Sequence, residues 1–267
     1  MLHVAVVLPM YNEADNVAAL LERLAAVRET SGLDLAAIAV DDGSRDATRE
    51  RLNELAPLYP FLSVVCHTRN QGMAAALRTG IAAGLARRAP RVDVLAFMDA
   101  DLTHAPEDLP RLIAPIATDR ADFVLGSRYV PGGRMQGVPW ARRVISVVGN
   151  AGVRRLLNVP VGDLTSGFRA GRAQVFQAIR LEEQGFGIQL EGTVKAYRAG
   201  FRVAEVPITL GVRKNGYSKM AYTRSFWLGY GRLIGNLWMN RRVIDLPALD
   251  TTIYAEVEDT QGRRTAV

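Results

Sequence analysis

VDVLAFMDADLTHAPEDLP, residues 92–110, decides how the rest of the chain reads. Its first part, Val92–Met98, has the length and apolar character of a buried strand and stops at Asp99. Strand alternation then turns Asp99 and Asp101 to the same side, so two carboxylates stand together at the strand's carboxyl end. Such a pair can share a hard divalent cation, Mg²⁺ or Mn²⁺, which would also take phosphate oxygens of a nucleotide and offset the charge of a departing nucleoside diphosphate. The plainer alternative is that both aspartates cap the following helix, a task for which Thr103 and Asp108 are also placed.

Working outward, strand-length apolar runs alternate with stretches of helical period. Val4–Leu8 is a strand, and the segment from Glu13 to Arg28 is a helix with Val17, Leu20, Leu21 and Leu24 on one face. Leu35–Val40 is a second strand running into Asp41 and Asp42. GSRDAT, residues 43–48, follows as a turn and helix start, with Ser44 or Asp46 suited to capping. Leu62–His67 is a third strand, Gln71–Arg88 a helix striped by Met73, Leu77, Ile81 and Leu85, and Ala121–Ser127 a further strand. Strands rich in Val, Ile and Leu in βαβ order predict an α/β fold: a doubly wound, mostly parallel sheet with helices on both faces. Ligands then bind beyond the strands' carboxyl ends. The polar clusters Pro9–Glu13, Asp41–Ser44, Arg69–Gly72 and Asp99–His104 all fall there.

Beyond Ser127 the pattern loosens. A glycine-rich basic stretch, RYVPGGRMQGVPWARR (residues 128–143), precedes an apolar segment, Val144–Leu157. Asp163–Arg169 reads as a return to the site, Gln184–Ala199 as a helix, Phe201–Val206 as a strand and Arg213–Lys219 as a polar loop. Phe226, Tyr230, Leu233, Ile234 and Leu237 recur at helical spacing beside Trp227 and Trp238. This amphipathic segment, about 221–245, would lie on an anionic membrane or pack against the domain or a second subunit. From about Leu246 the chain reads as a partly disordered tail.

With 267 residues, 49% of them hydrophobic and 22% charged, the chain can bury one large α/β core. The single cysteine, Cys66, excludes a disulfide framework and suits a reducing cytoplasm. His3, His67 and His104 are scattered, so no zinc-type cluster forms and any metal must be held by oxygen. A net charge of +6 points to anionic partners as a class. The N-terminal run reads as a first strand, without a basic leader or cleavage site. No stretch reaches the roughly 18 uncharged residues of a spanning helix. The closest, Ser225–Asn240, is interrupted by Arg232, so a cytoplasmic protein, free or peripheral on the membrane, is expected.

The first loop offers Tyr11 for stacking on a base and Glu13 for a nucleoside hydrogen bond, although capping explains Asn12 and Glu13 nearly as well. Asp41 and Asp42 can accept from a ring N–H or a ribose hydroxyl, or merely close a turn. LPMYNEADNV, VDDGSRDAT, RNQGMAAALRTGI, MDADLTHAPEDLP, GSRYVPGG, DLTSGFRA and GYSKM stand in the order and at the spacings of family 2 glycosyltransferases. Together they resemble the dolichyl- and polyprenyl-phosphate mannosyltransferase branch over roughly residues 4–220. The resemblance implies a GT-A fold at 1–220, with a nucleotide-sugar half to about 127 and an acceptor half to about 220. It also implies an inverting hexosyl transfer, mannose and GDP-mannose favoured, to a polyprenyl or dolichyl phosphate. Donor contacts would come from Pro9, Tyr11, Glu13, Asp41, Asp42, Asp99, Ala100 and Lys219, and the metal from Asp99 and Asp101. Some relatives carry Gln two residues after the second aspartate. Thr103 stands there in this chain and is the candidate third ligand, directly or through water.

On the acceptor side the resemblance assigns Arg128, Arg143 and Ser146 to the lipid phosphate. Arg213 and Lys219 fall to a loop that closes over donor and acceptor phosphates. A guanidinium fork matches phosphate geometry and stays charged. A phosphomonoester with a second pKa of about 6 is mostly ionised near neutrality and needs no strong base. Were the acceptor a hydroxyl on a soluble compound or polysaccharide, with UDP-glucose or another nucleotide sugar as donor, Asp163 or Glu191 would be the candidate base. A dinucleotide oxidoreductase would need GxGxxG directly after the first strand, and none is present. A non-catalytic binding subunit would be expected to lack one of Asp99, Asp101 or Arg128. Nothing points to nucleic acid, and the oligomeric state is not encoded in any pattern here.

Overall fold

The first strand, β1 (His3–Met10), is buried on both faces. Val4, Val6, Leu8 and Met10 enter one hydrophobic layer, Ala5 and Val7 the other. That is the environment an unbroken apolar run requires at the centre of a parallel sheet. In this computed structural model, which describes residues 1–87, 90–138, 140–213 and 224–240 and two short strands further on, β1 lies within a seven-stranded sheet. Its order is β3 (Leu62–Cys66), β2 (Asp34–Asp41), β1, β4 (Val94–Phe97), β7 (Arg169–Arg172), β5 (Phe123–Ser127) and β8 (Val203–Pro207). All run parallel except β7, which is antiparallel to both neighbours.

Helices α1 (Ala14–Ser31), α2 (Thr48–Leu55) and α4 (Leu109–Ala117) fill the first layer. The second is filled by α3 (Met73–Ala86), α6 (Ala173–Ala178) and α7 (Ile188–Arg198), with contributions from α5 (Trp140–Leu157) and α8 (Arg224–Met239). The expected doubly wound α/β architecture is therefore present, with boundaries shifted by a few residues. Two elements differ from expectation. The DLTSGFRA stretch ends in β7, a reversed strand that carries the 163–168 loop back to the centre of the sheet. β6 (Arg134–Met135) pairs with β9 (Thr209–Leu210), fastening the glycine-rich stretch to the approach of the 211–213 segment.

α8 separates the two roles considered for its apolar stripe. Leu233 and Leu237 are buried, with Tyr230 and Ile234 packed beside them, so this stripe faces the catalytic domain. The other side leaves Trp227, Leu228, Trp238 and Met239 exposed. No described helix is long and apolar enough to cross a membrane. Most of the C-terminal tail lies outside the described residues, as do residues 214–223, including the Lys219 expected to contact the donor. Within the tail, β10 (Val257–Glu258) and β11 (Arg264–Thr265) pair antiparallel.

At the sheet end opposite the site, Arg202 grips Asp122 with its backbone N–H and Nε, both at 2.9 Å, while Arg172 donates to the other carboxylate oxygen. The hydrogen bonds from Arg202 hold the Asp122 carboxyl down at about 2. A carboxyl depressed on folding stabilises fully above its unfolded value, near 3.9, and that contribution disappears as the pH falls toward 2. The shift corresponds to roughly 2.5 kcal/mol, which screening at this wet network reduces to about 1 kcal/mol. Asp122→Asn is therefore expected to cost about 1 kcal/mol in urea unfolding at pH 7 and next to nothing near pH 2.

Candidate active site

The loops after β1 and β2 are sewn together before any ligand is considered. Asn12 N–H donates to Ser44 Oγ (2.9 Å), Arg45 N–H to Asn12 Oδ1 (2.8 Å), Glu13 N–H to Thr48 Oγ1 (2.8 Å) and Ala14 N–H to Asp46 Oδ2 (3.2 Å). Asp46 also takes the Thr48 N–H at 3.0 Å, so it serves the start of α2, whereas Ser44 is spent on the neighbouring loop. Gly43 makes the crossing possible. Its φ is +65°, and an added Cβ would stand 2.4 Å from the Arg69 carbonyl carbon.

These loops border a cavity of about 510 Å³ beyond the carboxyl ends of β1, β2, β4 and β5. Pro9, Tyr11, Glu13, Asp42, Asp99, Ala100, Asp101, Thr103, Arg128 and Arg213 all line it, uniting residues from both halves of the chain. Asp41 does not. It is fully buried, accepting the Ser44 N–H at 3.0 Å and Arg49 Nε at 3.0 Å, so the turn and an ion pair consume the carboxylate predicted to bind donor. Asp42 reaches the wall, yet it too is anchored: it takes the backbone N–H groups of Gln71 (2.8 Å) and Gly72 (2.7 Å) and sits 2.7 Å from His67 Nδ1.

Asp99 and Asp101 face the cavity from the end of β4. Asp101 Oδ1 accepts both the backbone N–H (3.0 Å) and the hydroxyl (2.6 Å) of Thr103, and its Oδ2 holds the Arg213 guanidinium. Arg213 arrives there because β9 ends at Leu210 and the Gly211 N–H then donates to the Thr103 carbonyl at 2.8 Å. The Asp99 side chain is 34% exposed but lies deep in the cleft, and desolvation, reinforced by the charge on Asp101, raises its pKa above the ordinary carboxyl value. His104, which the sequence reading left without a role, holds this aspartate from behind. Its Nδ1 accepts the Asp99 N–H at 3.3 Å while the ring stacks on Phe168.

Among the described residues no three Asp, Glu, His or Cys side chains converge on a metal position. The pair that faces the cavity offers hard oxygens, and one of them already attracts a cation, Arg213. That donor set suits Mg²⁺ or Mn²⁺ with much of its shell supplied by phosphate oxygens and water. Thr103 orients Asp101 through its hydroxyl.

Arg128 enters from the end of β5. Asp163 takes its backbone N–H (3.0 Å), Nε (2.7 Å) and Nη2 (2.6 Å), and Thr165 Oγ1 accepts a further bond at 3.0 Å. Asp163 is wholly buried and its own loop is pinned. Glu205 accepts the N–H groups of Gly162 (2.7 Å) and Asp163 (2.9 Å), and Asn150 Oδ1 that of Leu164 (3.1 Å). Glu191 points elsewhere: buried, it accepts the N–H groups of Glu182 and Glu183 and pairs with Lys195 at 2.7 Å. Two acceptor candidates are displaced as well. Arg143 is exposed on α5 and Ser146 bonds to the Tyr129 hydroxyl at 2.6 Å, so neither lines the cavity. Phe186 and Gln189, which no motif singled out, do line it.

Paired carboxylates at the ends of a parallel sheet, faced by fixed arginines across a cavity, suit a glycosyltransferase. The chain belongs to glycosyl transferase family 2, whose family model matches residues 5–180. It is 40% identical to an undecaprenyl-phosphate mannosyltransferase of Micrococcus luteus, covering 82% of this chain and 88% of that protein. It is also 40% identical to a polyprenol monophosphomannose synthase of Mycolicibacterium smegmatis, covering 81% and 80% respectively. Its fold matches crystal structures of glucosyl-3-phosphoglycerate synthase from Mycobacterium tuberculosis. One, bound to phosphoglyceric acid, has a TM-score of 0.62 at 20% identity over 91% of this chain and 81% of that one. Another, at a TM-score of 0.61, holds Mn²⁺, UDP and glucosyl-3-phosphoglycerate. The fold is GT-A, and the protein is a glycosyltransferase.

Proposed function

We propose that this enzyme transfers a hexose, mannose favoured, with inversion from a nucleotide sugar, GDP-mannose favoured, to a polyprenyl or dolichyl phosphate. The relatives named above support the sugar and the acceptor class. The observation that carries the reading is the absence of a usable base on the acceptor side among the described residues. Asp163 is saturated by Arg128, and Glu191 is turned into backbone N–H groups and Lys195. Neither carboxylate is then available to take the proton of an acceptor hydroxyl, whereas a phosphate dianion has no proton to lose.

Asp163 keeps the Arg128 guanidinium in a fixed orientation, ready to align the attacking phosphate oxygen with the anomeric carbon. Arg213 supplies a second cation beside the diphosphate. Asp99 and Asp101 would hold the divalent cation, with Thr103 orienting Asp101, and that ion supplies charge stabilisation to the departing diphosphate. Tyr11, Glu13 and Asp42 form the nucleoside side of the cleft, Asp42 chiefly by fixing the Gln71–Gly72 backbone.

The enzyme meets its lipid as a peripheral protein. Trp140, Val144 and Val148 of α5 are exposed, as are Trp227 and Leu228 of α8, which packs against it. Such a surface suits the bilayer interface, where aromatic and aliphatic groups partition. The acceptor assignment is checked by offering polyprenyl phosphate and the corresponding polyprenol with one donor. Product is expected on the phosphate alone, its rate rising with pH through about 6 as the acceptor ionises. Equal transfer to the alcohol would overturn the reading.

A further inference from the structure

Gln189 is a cavity-wall residue with no task in the reaction so far. It belongs to the first turn of α7, is half-buried, and its carboxamide makes no hydrogen bond with any described residue. Its main chain, by contrast, is clamped. The Gln189 carbonyl accepts Arg169 Nη1 at 2.6 Å and Thr193 Oγ1 at 3.0 Å. Arg169 is itself buried, its pKa brought down by desolvation to about 10, and its Nε donates to the Ser166 carbonyl at 3.0 Å. The start of α7 is thereby fixed to the loop that carries Asp163 and Thr165.

The side chain lies against Gly167. A Cβ built on that glycine would stand 3.1 Å from Gln189 Nε2 and 3.3 Å from each carboxylate oxygen of Asp99. The amide and the first aspartate therefore flank the same glycine, and any larger residue there would push them apart. Gln189 lines the cavity that Asp99, Asp101 and Arg128 also line, with its side-chain hydrogen-bonding groups unspent among the described residues.

The geometry points to Gln189 as the residue that makes the site selective for an acceptor that arrives already ionised. This rests on the phosphate-acceptor reading and extends it. A hydroxyl or water nucleophile must surrender its proton as its oxygen bonds to the anomeric carbon and the bond from that carbon to the diphosphate breaks. A carboxamide can donate or accept a hydrogen bond but cannot take the proton. A carboxylate at the same place on the cavity wall could take it, activating alcohols and water alike. The neutral amide denies both that route while still hydrogen-bonding a sugar hydroxyl or a phosphate oxygen.

The test uses Gln189→Glu and Gln189→Ala in the full chain, with polyprenyl phosphate as acceptor and donor consumption divided between lipid-linked and free hexose. Gln189→Glu is expected to raise the ratio of hydrolysis to transfer by at least about tenfold, a modest part of the hundredfold or more that a placed base can supply. Gln189→Ala is expected to slow transfer with the ratio unchanged, because it removes a hydrogen bond without adding a base. Lipid product from wild type together with a Gln189→Glu ratio equal to that of wild type or of Gln189→Ala would overturn this inference alone. Absence of lipid product from wild type would overturn the phosphate-acceptor reading, and this inference with it.

Discussion

Asp101→Asn is expected to lower the turnover of hexose transfer by about 10²- to 10³-fold, the loss found when one preorganised electrostatic contact to a developing charge is removed. Asparagine is the informative replacement. It can retain the oxygen that accepts the Thr103 N–H and hydroxyl, whereas alanine would leave both without an acceptor at a cost of about 1–3 kcal/mol in a buried place. What it removes is charge: the carboxylate that attracts Arg213 and would share a divalent cation with Asp99. Turnover should therefore fall, the Mn²⁺ concentration for half-maximal rate should rise, and the melting temperature should stay close to that of wild type. Full activity at ordinary Mn²⁺ would place the cation elsewhere.

Asp163→Asn separates the positioning role seen in the structure from the general-base role considered from the sequence. If the carboxylate orients Arg128, its loss loosens a guanidinium that Asp163 holds by two hydrogen bonds, with a third to the Arg128 backbone N–H. A misplacement of about 1 Å in a positioning group costs on the order of a hundredfold. The loss should appear in kcat/KM for the acceptor, roughly ten- to a hundredfold, with donor affinity unchanged. A general base would behave differently: kcat would fall with acceptor KM steady, and the acid limb of the pH profile would vanish. The full burial of Asp163 and its saturation by Arg128 predict the first outcome. The cost of leaving Arg128 half-buried with a neutral partner makes a melting curve of the variant a necessary companion.

The sequence exposed the central strands because each is an apolar run buried on both faces, and it placed the polar clusters correctly at their carboxyl ends. It missed β7 because Arg169-Ala-Gly-Arg172 has neither the length nor the apolar character of a central strand. That strand is held between β4 and β5 by register rather than by composition. In the site, Asp99 and Asp101 stood out from local pattern and Arg128 from the family resemblance. The pairing of Arg128 with Asp163, 35 positions away, was not legible, since no periodicity relates them. Asp41 and Asp42 look alike in sequence, and the Ser44 N–H together with Arg49, at the start of α2, decides that Asp41 is consumed internally. Gln189 carries no local signal at all, because its position depends on a glycine and an arginine contributed by another loop and strand. α8 shows its stripe plainly, but the identity of the surface the stripe meets required the fold.

The central claim, metal-dependent hexose transfer to a lipid phosphate, is tested most directly by incubating the purified enzyme with radiolabelled GDP-mannose, and separately UDP-glucose, in the presence of polyprenyl phosphate with and without Mn²⁺. The account predicts label in the lipid fraction from GDP-mannose, dependent on the cation. Donor hydrolysed or passed to a soluble hydroxyl compound, with no label in the lipid, would contradict it.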